Sequence, residues 1–393
     1  MNTNQSSPEF FSISESGPVY QVLRKLHLNQ NKIKLVIAFL CITWLPLVII
    51  TAFEGTLYTG GRQSFLADIA MQVRLLAALP MLILIGAGID NKVLEVGKYF
   101  SETLMKDAIQ QLVLSKILRG AWKMANSAVA EIMLLLILIT VTISVGQGGM
   151  FNVAQGAAGS WKYALHDGNH VLSYAGRWSN YISIPLFQFL ILRWFWRYFI
   201  WSLMLLRLSF TRMSLQATHP DKAGGLSIIM LAQKYFCFIF VAISVVISGE
   251  LIAKLINDPD SFESIRRDGI AYILIWLVVV LLPPVFFVRK LINTKEEGLL
   301  KLSKLGNSIS KKFEEEWVND QPVENKTADA KVSTSDLQDY DTIYVSLEEL
   351  RFVPFTFRDI ISMIILLFIP YLPILFIHFS IVELLQKLFG LLM

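Results

Sequence analysis

The amino-acid sequence predicts an all-α fold: a polytopic membrane helix bundle of about seven spans, N-terminus cytoplasmic, with a small cytoplasmic helical subdomain. Three observations carry this prediction. Mean hydropathy is +0.53 and 54% of the residues are hydrophobic, which marks a chain made mostly for lipid. Seven runs approach the roughly 20 apolar residues that a helix needs to cross about 30 Å of hydrocarbon. The lysines and arginines between these runs crowd onto alternate loops.

In order, the runs are Leu35–Phe53, Ile69–Ile89, Ala128–Gly146, Ile182–Leu206, Leu226–Gly249, Ile270–Val288 and Ile360–Ser380. Backbone polar groups in hydrocarbon must be satisfied within the protein, so spanning segments are helices or strands of a closed barrel. Barrel strands alternate with period two, whereas a run such as Ile132–Ile143 shows no such alternation. Helices follow. Pro46, Pro80, Pro283–Pro284 and Pro370 interrupt four of them, which suits gating helices and static packing equally. The first 32 residues are polar and lack the apolar core of a signal peptide, so the first run reads as a retained anchor. Cys41 and Cys237 both fall within runs, which excludes a disulfide framework.

Direction comes from the basic residues. Outside the runs, the N-terminal tail holds four (Arg24, Lys25, Lys32, Lys34), and the second, fourth and sixth loops hold six, three and eleven. The first, third and fifth loops hold one, two and three. The positive-inside bias then puts the N-terminus in the cytoplasm, and an odd number of spans leaves the C-terminus outside.

Composition divides the chain further. Residues 1–32 read as a flexible cytoplasmic tail, and 33–288 as a six-span membrane domain with a cytoplasmic helix at 90–126 and an outer loop at 146–180. Residues 289–318 form a cytoplasmic amphipathic helix, 319–342 a disordered linker, and 343–393 the last span with a C-terminal amphipathic segment. Val93, Val96, Phe100 and Leu104 in the first helix, and Leu299, Leu302, Leu305 and Ile309 in the second, recur at three- to four-residue spacing. Such stripes belong to helices that pack on each other or on a membrane surface. We expect these two to pack together as the cytoplasmic subdomain.

Three groups of residues could carry chemistry. Arg193 and Arg197 lie within the fourth span, Arg193 about 13 residues, or roughly 20 Å, from its cytoplasmic end. Lys234 lies in the fifth span and Glu131 at the start of the third. Charges at that depth face protein, a partner or water, and here the cations outnumber the lone glutamate. The excess predicts a basic vestibule attracting anions. The structural alternative is stacking of the arginines on Trp194, Trp196 and Trp201. The second group is Thr218-His219-Pro220-Asp221-Lys222-Ala223-Gly224-Gly225-Leu226. There Asp221 suits a helix cap, Gly224 and Gly225 suit a tight turn, and Lys222 with free N–H groups suits an anion. Its His-Pro-Asp-Lys tetrapeptide also occurs in J-domain cochaperones, but both flanks here enter the membrane. The third group, His166 and His170 beside Asp167, offers too few ligands for zinc.

The stretch Ser183-Ile184-Pro185-Leu186-Phe187-Gln188-Phe189-Leu190, with Arg193-Trp194 and the Thr218–Leu226 loop, resembles a group of uncharacterised multi-spanning bacterial inner-membrane proteins. Val353-Pro354-Phe355, Pro370, Pro373 and Glu383-Leu384-Leu385 are similar to theirs too. The resemblance implies a multi-pass location in the bacterial inner membrane and brings no activity with it. No phosphate-cradling loop, nucleophile elbow or two-histidine zinc helix occurs, so no enzyme, metal or cofactor is expected. The expected partners are membrane lipids, a second copy of the chain and a small anionic solute, but no nucleic acid. The function these readings favour is an anion-attracting channel or passive transporter whose pore is lined by Arg193, Arg197, Lys222, Lys234 and Glu131. The alternative is a non-conducting scaffold or sensor that assembles partners through its cytoplasmic helices.

Overall fold

The computed structural model describes residues 12–25, 27, 31–58, 64–146, 160–166, 169–314 and 334–378. Six helices in it are long and apolar enough to cross a membrane: α2 (Lys32–Phe53), α3 (Ile69–Leu104), α6 (Tyr174–Ser209), α7 (Leu226–Asn257), α8 (Pro259–Val285) and α11 (Phe357–Ile377). The helices α4 (Ala108–Ala125) and α5 (Ala128–Gly146) meet at a 42° bend and bring the number of crossings to seven if they count as one broken span rather than a re-entrant loop. The short helix α1 (Pro18–Lys25), the antiparallel hairpin of β1 (Tyr163–His166) and β2 (Asn169–Leu172), α9 (Val288–Phe313) and α10 (Thr334–Glu348) complete the described elements.

The long apolar helix α7 is the hub: 61% of its membrane-length window is buried, against 22% for α2, α8 and α11. It packs against α3, α8 and α11, while α6 packs against α4 and α5, and α2 against α3.

The proline-interrupted spans show how the bundle satisfies its backbone. A proline removes the hydrogen bond to the carbonyl four residues earlier. Pro283 and Pro284 therefore release the carbonyls of Val279 and Val280 near the C-terminal end of α8. The Tyr198 hydroxyl donates to Val279 O at 2.8 Å, and the Gln233 side-chain amide donates to both Val280 O and the Tyr198 oxygen. Trp201 Nε1 donates to Gln233 Oε1 at 3.0 Å, which completes a buried network across α6, α7 and α8. In α2, Pro46 releases Ile42 O, and Trp178 Nε1 donates to it at 3.1 Å. Pro80 and Pro185 instead follow π-helical turns at Val73–Ala78 and Ser179–Ser183, which widen the helix just before the ring.

Three expectations need correction. The helices at 90–126 and 289–318 do not pair: the first continues α3 to Leu104 and then, as α4, lies along α6, while α9 packs on α10. Part of the linker expected to be disordered is helical, because α10 begins at Thr334 and Tyr340 donates to Leu302 O. The tail expected to be flexible contains α1 and, from Ser12 to Gly17, a strap bonded into the bundle. The C-terminal amphipathic segment beyond residue 378 lies outside the described residues.

The proline–side-chain pairing makes a double-mutant prediction. Tyr198→Phe should lower stability in detergent by about 1 kcal/mol, since an interhelical membrane hydrogen bond averages about 0.6 kcal/mol and the carbonyl is left bare. Adding Pro283→Ala, which restores an N–H for Val279 O, should recover most of that loss; additive losses in thermal unfolding would contradict the pairing.

Candidate functional site

The site begins with α6, whose length carries Arg193 and Arg197 one turn apart on one face. Opposite them the α4–α5 helix pair breaks at Asn126, which exposes the last carbonyls of α4 and the first turn of α5. Arg197 is 1% exposed; its Nη1 donates to Ala125 O and its Nη2 to Ser16 O, both at 2.6 Å. Arg193 Nη2 donates to Ser14 O at 3.1 Å and to Ser16 O at 2.9 Å. Glu131 Oε1 stands 3.5 Å from Arg193 Nε and 3.5 Å from Arg197 Nη2. Those pairs are too long to be hydrogen bonds, and Arg193 Nε, Arg197 Nε and Glu131 Oε1 have no hydrogen-bond partner among the described residues.

The acceptors on the other side come from the N-terminal strap. Ser12 Oγ donates to Asp90 Oδ2 at 2.6 Å, Ser14 N to Asp90 Oδ1 at 2.9 Å, and Ser14 Oγ to the same carboxylate. Gly17 N donates to Asn126 Oδ1 and Val19 N to Glu131 Oε2, at 2.9 and 2.8 Å. Gly17 has φ +98°, and a Cβ there would run into the Glu131 carboxylate. Only glycine fits. Lys32 reaches back to Glu15 at 2.8 Å. The centre thus holds two guanidinium groups against two carboxylates, Glu131 and Asp90.

This corrects the predicted excess of cations. Lys234 pairs with Asp359 at 2.6 Å, and Lys222 with Glu349 at 2.5 Å. Arg74, also within a span, pairs with Glu250 at 2.5 Å. The predicted pore cations do not share one site: Arg193 and Arg197 converge with Glu131, whereas Lys222 and Lys234 stand in separate, half-exposed pairs. The tryptophans do not stack on the arginines either. Trp194 Nε1 donates to Leu82 O, Trp196 Nε1 to Met124 O and Trp201 Nε1 to Gln233.

The Thr218–Leu226 loop is built around one carboxylate. Asp221 accepts from the N–H groups of Ala223, Gly225 and Ser227 at 2.9 to 3.1 Å and from Ser227 Oγ at 2.7 Å. Gly224 at φ +63°, Gly225 at φ +91° and Lys222 at φ +52° turn those N–H groups inward. The N–H groups expected to bind an external anion are therefore filled by Asp221 itself. His219 Nδ1 lies 2.7 Å from Asp221 Oδ1, and its Nε2 is 3.4 Å from the Tyr99 hydroxyl. Arg351 fastens the outside, with Nη2 on Asp221 O at 2.6 Å and its N–H on Lys222 O at 2.8 Å. Burial opposes ionisation of Asp221, but the Ser227 hydroxyl and the three N–H donors outweigh it and hold the carboxyl below the usual range.

The side chains of His166 and His170 lie outside the described residues. No group of three or more His, Cys, Asp or Glu residues suited to a metal occurs among the described residues. Sequence reasoning missed Asp90, Asn126 and the strap. Gly17 amid serines was a turn signal, but nothing in a polar tail shows that it returns into the bundle. Compared with known proteins, the chain matches no family model, no curated protein and no solved structure.

The loop predicts a pH dependence of fixed sign. Asp221 has a depressed folded pKa, so its stabilisation is complete above the ordinary aspartate value of about 4 and is lost as pH falls through the lower folded value. Protease nicking at the loop should therefore rise in acid. Asp221→Asn should loosen the loop at neutral pH by about 1–3 kcal/mol, the cost of stripping an acceptor from buried donors, and should flatten the acid response. An unchanged acid response in that variant would remove Asp221 as its source.

Proposed function

We propose that this integral multi-pass membrane protein is a non-conducting scaffold or sensor of the bacterial inner membrane, with its N-terminus in the cytoplasm. One observation carries this reading: every cation on which anion conduction would depend already has a partner within the chain. Arg193 and Arg197 are closed in by Glu131, Ala125 O, Ser14 O and Ser16 O, while Lys222 and Lys234 have their own carboxylates. A conducting vestibule needs hydrated or exchangeable charge, which the pairing of Arg193 and Arg197 within the bundle does not favour, while Lys222 and Lys234 lie in half-exposed pairs. The outward resource for assembly is α9, which leaves Leu300 and Leu305 exposed beside Lys301 and Lys304. The lipid bilayer and a partner gripping α9, a second copy of the chain included, fit this reading.

Reconstituted vesicles test it. Anion efflux should match that of protein-free vesicles, and Arg193→Gln with Arg197→Gln should leave efflux unchanged. The same double variant should lower the unfolding temperature sharply, since breaking a buried ion pair costs about 3–5 kcal/mol. Anion efflux in the parent that the double variant abolishes would restore the channel.

A further inference from the structure

The strap does more than cover the arginines. It lays three acceptors on three cations of two helices: Glu15 on Lys32 of α2, the Ser14 carbonyl on Arg193 of α6, and the Ser16 carbonyl on both Arg193 and Arg197. Directly beside these contacts lies a cavity of about 160 Å³ between α1, α2, α3 and α6. Its walls are mostly apolar, with Leu82 and Ile83 from α3, Leu186, Phe189 and Leu190 from α6, and Phe39 from α2. Arg193, Lys32 and Ser14 form its polar side.

Two physical facts follow. The cavity resembles in size an engineered cavity of about 150 Å³ that takes up benzene, so it has room for a short stretch of hydrocarbon. The arginines, in turn, cannot be left bare. If the strap withdraws, Arg193 Nη2 loses both of its hydrogen bonds among the described residues and Arg197 Nη2 its one, and an acceptor must replace the carbonyls. Withdrawal also removes Glu15 and so leaves Lys32 without the carboxylate that pairs with it, while Glu131 stays beside Arg193 and Arg197.

We infer that Lys32, Arg193 and Arg197 form a binding site for a single-chain anionic amphiphile. Its phosphate or carboxylate head replaces the strap's three acceptors, and the start of its alkyl chain fills the cavity. The strap is the resident competitor. Its grip is mostly polar: Ile13 is its one buried large apolar side chain, so little hydrophobic burial opposes its release. The inference goes beyond the proposed scaffold or sensor role and does not depend on it, because binding and efflux are measured separately.

The experiment uses the full chain in neutral-lipid nanodiscs with submicellar dodecyl phosphate or dodecanoate carrying a diazirine on the alkyl chain. Dodecyl maltoside and inorganic phosphate serve as comparison ligands. One of the two anionic probes should crosslink to Leu82–Ile83 or Leu186–Leu190. Glu15→Gln, which frees Lys32, should tighten that probe several-fold, and deletion of residues 1–17 should tighten it about tenfold or more, as loss of an internal competitor requires. Leu190→Trp, which fills the cavity, should abolish crosslinking while the strap remains protected from protease. Should the deletion fail to fold, Glu15→Gln decides. Crosslinking insensitive to Glu15→Gln, equal binding of dodecyl maltoside, or inorganic phosphate binding as tightly as the alkyl anions would each overturn the inference.

Discussion

Two guanidinium groups buried side by side in an apolar bundle set the terms for everything packed around them. An uncompensated charge at that depth costs several kcal/mol, and like charges one helical turn apart repel. The fold meets this demand from several directions. The α4–α5 helix pair breaks where its free carbonyls meet Arg197, Glu131 enters between the two arginines, and the N-terminal strap brings the carbonyls of Ser14 and Ser16. Asp90 then holds the strap by its serines. Break, strap and carboxylates are one arrangement with one cause.

The same rule governs the neutral polar groups. Carbonyls released by Pro46, Pro283 and Pro284 are met by Trp178, Tyr198 and Gln233 from neighbouring helices. Each such bond ties two spans at a fixed depth and register, so the prolines that interrupt helices also fasten the bundle together. Near Leu226 the chain solves a related problem with a single carboxylate: Asp221 occupies the concavity made by the N–H groups of Ala223, Gly225 and Ser227. A nest of this kind ordinarily attracts an outside anion, and here the anion is covalently supplied.

These arrangements bear on function through what can exchange. The Tyr198–Gln233 network belongs to helices held together along their length, so its parts have no separate freedom. The strap differs: it is short and is held chiefly by hydrogen bonds. Segments with few buried apolar contacts open at lower free energy than the core they cover. A segment of that kind completes the site around the two arginines.

Much of the fold was legible in the sequence because lipid imposes it. Helical class and the position of each span follow from run length, and a cap at Asp221 follows from residue type before an apolar helix. The site was legible only in part. Arg193, Arg197 and Glu131 stand out because charges within apolar runs are rare, yet the balance of charge was misread. Asp90 and Asp359 sit at the ends of their runs, where they look solvent-facing, and only packing carries them to Ser14 and Lys234. The fate of α4 was equally hidden, since an amphipathic stripe states that a face must be covered and not by what. Run length and residue type act locally and survive in one dimension. Which acid reaches which base, and that a polar tail folds back to serve two arginines, depends on contacts between residues from about 60 to more than 180 positions apart, and these exist only in the assembled bundle.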